Sequence, residues 1–180
     1  RSSAASDVYK RQVLDCAVLV ISGADGVQGH TETLWKLLTR YGIPVFLFVN
    51  KMDQEGTDGE KLLKELRKRF GENVVPFVDI MTESDCPGGK VYLHTKESAV
   101  EDVLEELAVC EDDMMEEYLE EGRISLDKVQ KAVADRQVFP CYFGSALHSQ
   151  GVEELLDGLD RYMKDKTYPA EFGAKVYKIA

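Results

Sequence analysis

The sequence predicts an α/β protein, a doubly wound parallel sheet interrupted by a helical insertion. Three observations carry that reading. Two apolar, β-branched runs, Val13–Ile21 and Ile43–Val49, are each followed by a helical period, Val27–Tyr41 and Thr57–Phe70. A third run, Val138–Phe143, leads into another helical period from Gly151 to Met163. Between the second helix and the third strand lies a long, mostly acidic and helical stretch.

Taken in order, residues 1–12 show neither a helical nor a strand period. They resemble the read-through translation of a sequencing adapter and are set outside the fold. Val13–Ile21 is the first strand, closed by Ser22-Gly23-Ala24-Asp25-Gly26. In the helix that follows, Asp25 and Gln28 have capping-box spacing, and Val27, Leu34, Leu37, Leu38 and Tyr41 form the apolar face. Gly42 and Pro44 stop it. The second strand is followed by a helix that a Thr57–Glu60 box opens, with Leu62, Leu63, Leu66 and Phe70 inward. Val74–Val78 and Val91–Leu93 read as short strands, separated by a turn-rich loop over Ser84–Lys90. Ser98–Gly122 and Leu126–Arg136 read as helices of an insertion spanning roughly 73–137. The last helix places Leu155, Leu156, Leu159 and Met163 inside.

Composition narrows the function. The 44% hydrophobic and 31% charged content is that of a soluble globular protein, and no apolar run reaches the length of a membrane span. Cys16, Cys86, Cys110 and Cys141 have no CxxC spacing, so a metal site or disulfide framework is not expected and a reducing cytoplasm fits best. A net charge of −11 argues against direct DNA binding. The acidity of 101–121 reads first as a solvated helix face, with a docking surface as the alternative.

Chemistry concentrates in Asn50-Lys51-Met52-Asp53, at the carboxyl end of the second strand, where open α/β sheets bind ligands. An amide, a charged aliphatic stem and a carboxylate meet there. A carboxylate matches guanine, which presents N1–H and an exocyclic amine side by side; adenine has an acceptor at N1. By itself the motif is equally a polar turn. Gly144-Ser145-Ala146-Leu147 ends the third strand in a small-residue turn whose backbone N–H groups suit a carbonyl such as guanine O6. Together the two segments supply both halves of a guanine site.

On these residues, with Val13–Val20 and Asp25-Gly26-Val27-Gln28, the chain resembles the GTP-binding domain of translational GTPases. Within that family it is similar to elongation factor G and the tetracycline-resistance ribosomal protection proteins. The resemblance covers Val13 to Ala180. Gln54 after Asp53, and Phe139–Ser145, tilt it toward the ribosomal protection proteins. It implies a P-loop-type GTPase sheet missing its N-terminal strands, with 13–168 the later part of the GTP-binding domain and 169–180 the first strand of a β-barrel domain. It also implies GTP or GDP as ligand, Mg²⁺ in the parent protein, and the ribosome as the parent's partner. Asp53 would take the guanine N1–H and amine, and Asn50 would contact the base edge and tie the two loops. Lys51 would lay its stem on the ring, Ser145 would brace Asp53, and the Ala146 and Leu147 amides would face O6.

The 180 residues contain no GxxxxGK[ST] phosphate loop. Gly23–Thr31 follows a strand and opens a helix, but it has five residues between glycines and His30 in place of Lys. It is rejected as a phosphate loop, and His30 is read as a helix-surface residue. No catalytic residue or metal ligand is therefore expected in the chain: the parent would hydrolyse GTP and this part alone would not. A non-catalytic binding piece with a vestigial nucleotide site, and an unrelated doubly wound domain with a fortuitous motif, stand as alternatives.

Overall fold

The computed structural model describes residues 14–77, 80–83, 92–95 and 103–164. The adapter-like segment, the expected barrel strand and the loop 84–90 lie outside the described residues. In chain order the elements are β1 (Ala17–Ser22), α1 (Gly29–Arg40), β2 (Val45–Asn50), α2 (Gly59–Phe70), β3 (Val74–Pro76), β4 (Ile80–Glu83) and β5 (Tyr92–Thr95). There follow α3 (Val103–Val109), α4 (Asp112–Glu121), β6 (Ile124–Ser125), α5 (Leu126–Ala134), β7 (Phe139–Phe143) and α6 (Val152–Tyr162).

The main sheet is parallel throughout, in the order β1-β2-β7-β3. β7 thus enters between two strands that precede it in sequence. Side chains of β2 alternate between two cores, as a strand buried on both faces requires. Val45, Leu47 and Val49 pack with α1 and α2, whereas Phe46 and Phe48 join the helices of the insertion and α6. The expected doubly wound architecture is present. The insertion differs from a purely helical one. It opens on β3, a strand of the main sheet, and carries a three-stranded antiparallel sheet, β4-β5-β6. The helix expected over Ser98–Gly122 is broken at Cys110 and Glu111, where an extended Glu111 precedes α4. Buried Glu117 secures the return: its Oε2 accepts from Ser125 N at 2.8 Å and Ser125 Oγ at 2.9 Å.

Neither capping box forms. Gln28 precedes α1 without a side-chain cap, and at α2 Asp58, not Thr57, accepts from the Lys61 amide at 3.2 Å. The Thr57 hydroxyl instead donates to the carbonyls of Met52 and Gln54. The inward stripe of α1 is centred on Trp35 and Leu38, with the other expected positions partly buried. Trp35 stacks on Phe70 with centroids 4.5 Å apart and meets the Phe139 ring at 4.7 Å. In α6, Leu156 is exposed, not inward. Gly158 faces the core instead, because a Cβ there would lie 1.9 Å from Tyr142 Oη.

Candidate guanine-binding site

Strand register builds the site. β1 and β2 pair as Ser22 with Asn50, and β2 and β7 pair as Val49 with Phe143, so three strand ends finish on one edge. Asn50 and Gly144 are the next residues along adjacent strands. Backbone hydrogen bonds then join the loops: Gly144 N to Val49 O at 2.9 Å, Met52 N to Gly144 O at 3.0 Å, and Gly23 N to Asn50 O at 2.7 Å.

The Asn50 side chain makes the decisive connection. Its Oδ1 accepts from Lys51 N at 2.8 Å and from Ala146 N, 96 residues away, at 2.9 Å. The first bond holds Lys51 in a left-handed conformation, φ 64°, which non-glycine residues seldom adopt. The second ties the β7 turn to the β2 loop. That turn closes through reciprocal bonds between Ser145 and Gln150, both 3.0 Å. It depends on Gly151, at φ 73°, where a Cβ would lie 2.4 Å from Phe143 O.

Asp53 is open to solvent and sits beside the turn. Its carboxyl is held below the ordinary aspartate pKa chiefly by the Ser145 hydroxyl, with smaller help from its own backbone amide and from His148. Burial, second in size to the Ser145 contact, pushes the other way. Ser145 Oγ is itself fully buried and closes no hydrogen bond, so it approaches the carboxylate without completing one. His148 Nε2 stands 3.6 Å from Asp53 Oδ2. Leu147 projects its side chain, 84% exposed, from the same turn.

The Elongation factor Tu GTP binding domain family matches residues 8–165. The chain belongs to that family. It is also similar in fold to the crystal structure of ttk003000868 from Thermus thermophilus, with a TM-score of 0.65 and 24% identity. That likeness covers 87% of this chain and 27% of the other, so the chain spans about a quarter of the length of the structure it matches.

All six residues singled out from the sequence of this elongation-factor-type domain lie on the two joined loops. One expected role changes in detail, since the Ala146 amide is engaged by Asn50 and the Leu147 N–H makes no hydrogen bond among the described residues. His148 was missed; an exposed turn histidine has no periodicity to mark it. Beside Asn50 and Lys51 opens a cleft of about 330 Å³, lined by Ser22, Asp25, Gln28, His30 and Thr31 among others. His30 is exposed on α1, as expected. The two loops present an amide, a carboxylate and a backbone N–H, at Asn50, Asp53 and Leu147. A divalent ion is another matter: among the described residues no group of three His, Cys, Asp or Glu side chains is placed to hold one.

Proposed function

We propose that this chain is the base-recognition part of a ribosome-dependent translational GTPase of the elongation factor G type, nearer the tetracycline-resistance ribosomal protection proteins. The observation that carries it is the Asn50 bridge, which ties the loop that holds Asp53 to the Ser145–Leu147 turn. In this reading Asp53 accepts from guanine N1–H and the exocyclic amine, while the Leu147 amide donates to O6. The Asn50 amide meets the base edge, and the Lys51 stem and Leu147 side chain flank the ring. Phosphate and Mg²⁺ contacts, and the hydrolytic chemistry, belong to the parent protein, because the sequence holds no phosphate loop. The 180-residue chain alone therefore binds weakly and does not hydrolyse GTP. No helix among the described residues is long and apolar enough to cross a membrane.

Guanosine and adenosine titrated against the chain test the site. Guanosine binds better; Asp53→Asn reverses the donor–acceptor pattern and favours xanthosine, whose C2 carbonyl takes the new N–H. Equal binding of guanosine and adenosine refutes the assignment. Ribosome-stimulated release of phosphate from GTP by the chain would refute the division of labour.

A further inference from the structure

The geometry points to His148 as a positioning residue that makes guanine recognition depend on pH: protonated His148 takes up Asp53 Oδ2, and neutral His148 leaves both carboxylate oxygens to the base. The inference rests on the guanine-site reading above and adds a regulator to it.

The contact is specific. His148 Nε2 lies 3.6 Å from Asp53 Oδ2, with side-chain exposures of 55% and 30%. The three-residue helical turn Ala146–His148 is fixed from both ends, by Asn50 Oδ1 on the Ala146 amide and by Ser145 O accepting from His148 N at 3.1 Å. Its Cα position is therefore set by the same bonds that assemble the base site. Among the described residues Asp53 is the ion-pair partner of His148. The adjoining segments also carry Lys51 and Glu55 beside Asp53, and Glu153 and Glu154 beyond the turn. Lys51, on the Asp53 loop, lines the cleft beside Asn50, and Glu153 and Glu154 occupy the first turn of α6, beyond Gly151.

Guanine needs two acceptors in one plane, one for N1–H and one for the amine. A carboxylate has two oxygens, and an imidazolium donating to one of them competes with the base for it. Histidine is the side chain whose charge ordinarily changes within the physiological pH range, whereas the Asp53 carboxyl is held low, chiefly by the Ser145 hydroxyl. Because the pair is exposed, competition weakens binding by about two- to fivefold, not by orders of magnitude.

The test is guanosine binding by the 180-residue chain at about pH 5.5 and about pH 8.0, either side of the histidine range, a nucleoside being used so that no phosphate titrates. Guanosine is expected to bind about two- to fivefold more weakly at the lower pH. His148→Gln should bind equally at both pH values with the affinity of the wild type at the higher one. His148→Lys, permanently charged, should match the wild type at the lower pH throughout. Binding that is flat with pH in the wild type, or a pH dependence that survives His148→Gln, overturns the role of His148 while leaving the guanine site standing. No preference for guanosine over adenosine at either pH overturns both.

Discussion

Removing the Asn50 side chain separates what holds the site together from what reads the base. In Asn50→Ala two amides lose their acceptor, Lys51 N at 2.8 Å and Ala146 N at 2.9 Å. A protein hydrogen bond contributes about 0.5–1.5 kcal/mol net. Both amides lie where water can replace the lost oxygen, which favours the lower half of that range, so the pair together amounts to about 1–2 kcal/mol. With a urea m-value of about 2 kcal/mol/M, the unfolding midpoint should fall by roughly 0.5–1 M at unchanged slope. Asn50→Asp keeps an Oδ1 in place to accept both bonds, and should recover most of the midpoint. It no longer offers an amide to the base edge, so guanosine binding should stay weak in both variants. Urea melts followed by circular dichroism, beside guanosine titrations, read the two effects separately. A midpoint shift below about 0.2 M in Asn50→Ala, or an Asp variant as unstable as the Ala variant, would refute the bridge as the element that couples the loops.

Four further outcomes follow from particular contacts. The folded-state pKa of Asp53 is depressed, so its stabilising contribution is present above the unfolded carboxylate pKa and is lost as pH falls through the lower folded value. A carboxylate NMR titration should place Asp53 below the ordinary aspartate range, and Ser145→Ala should raise it; an unmoved midpoint counts against the contact. Glu117→Ala leaves the buried Ser125 amide unpaired and should destabilise by about 1–3 kcal/mol in a denaturant melt, while Glu117→Gln, keeping an acceptor, should lose less. Gly151→Ala puts a Cβ against Phe143 O in a left-handed backbone, and should open the Ser145–Gln150 bridge and abolish guanosine selectivity; an unchanged preference would show that the turn is dispensable. β1 is an outer strand of the described sheet with Val18 and Val20 exposed, so Val20→Lys should slow aggregation measured by turbidity, and an unchanged rate would locate the sticky surface elsewhere.

How far the fold could be read from the sequence varied with how local its cause was. β2 announced itself because a strand buried on both faces must be apolar at every position, and Val45–Val49 are all at most 4% exposed. The stop at Gly42 was legible because it sits at positive φ after a helix, where glycine is least strained. The caps were not legible, because two hydrogen-bonding side chains stand side by side at Thr57 and Asp58. Spacing cannot decide which one turns toward the helix when the Thr57 hydroxyl finds the Met52 and Gln54 carbonyls instead. The inward placing of Trp35 and Gly158 was likewise hidden. Both depend on partners distant in the chain, Phe70 and Phe139 for the one and Tyr142 for the other.

The site divides along the same line. The chemical types at Asn50, Lys51 and Asp53 were legible in the motif, which by itself is equally a polar turn and gains its guanine reading only beside Gly144–Leu147. That Ser145–Leu147 comes to lie beside the Asn50–Asp53 loop is a matter of strand order. Nothing in the local pattern of Phe139–Phe143 says that, after the whole insertion, it returns to pair with β2 and not with the outer edge beyond β3. Once β7 lies beside β2 in parallel register, the joining bonds follow. Val49 faces Phe143, so the next residues are Asn50 and Gly144, and Asn50 Oδ1 lies 2.9 Å from the Ala146 amide. The register thus explains why a short side chain with an acceptor oxygen at position 50 joins the two loops, where the motif alone only shows that it is there. The same placement delivers His148 to Asp53, a residue that no motif marks and that only the folded turn brings into the recognition chemistry.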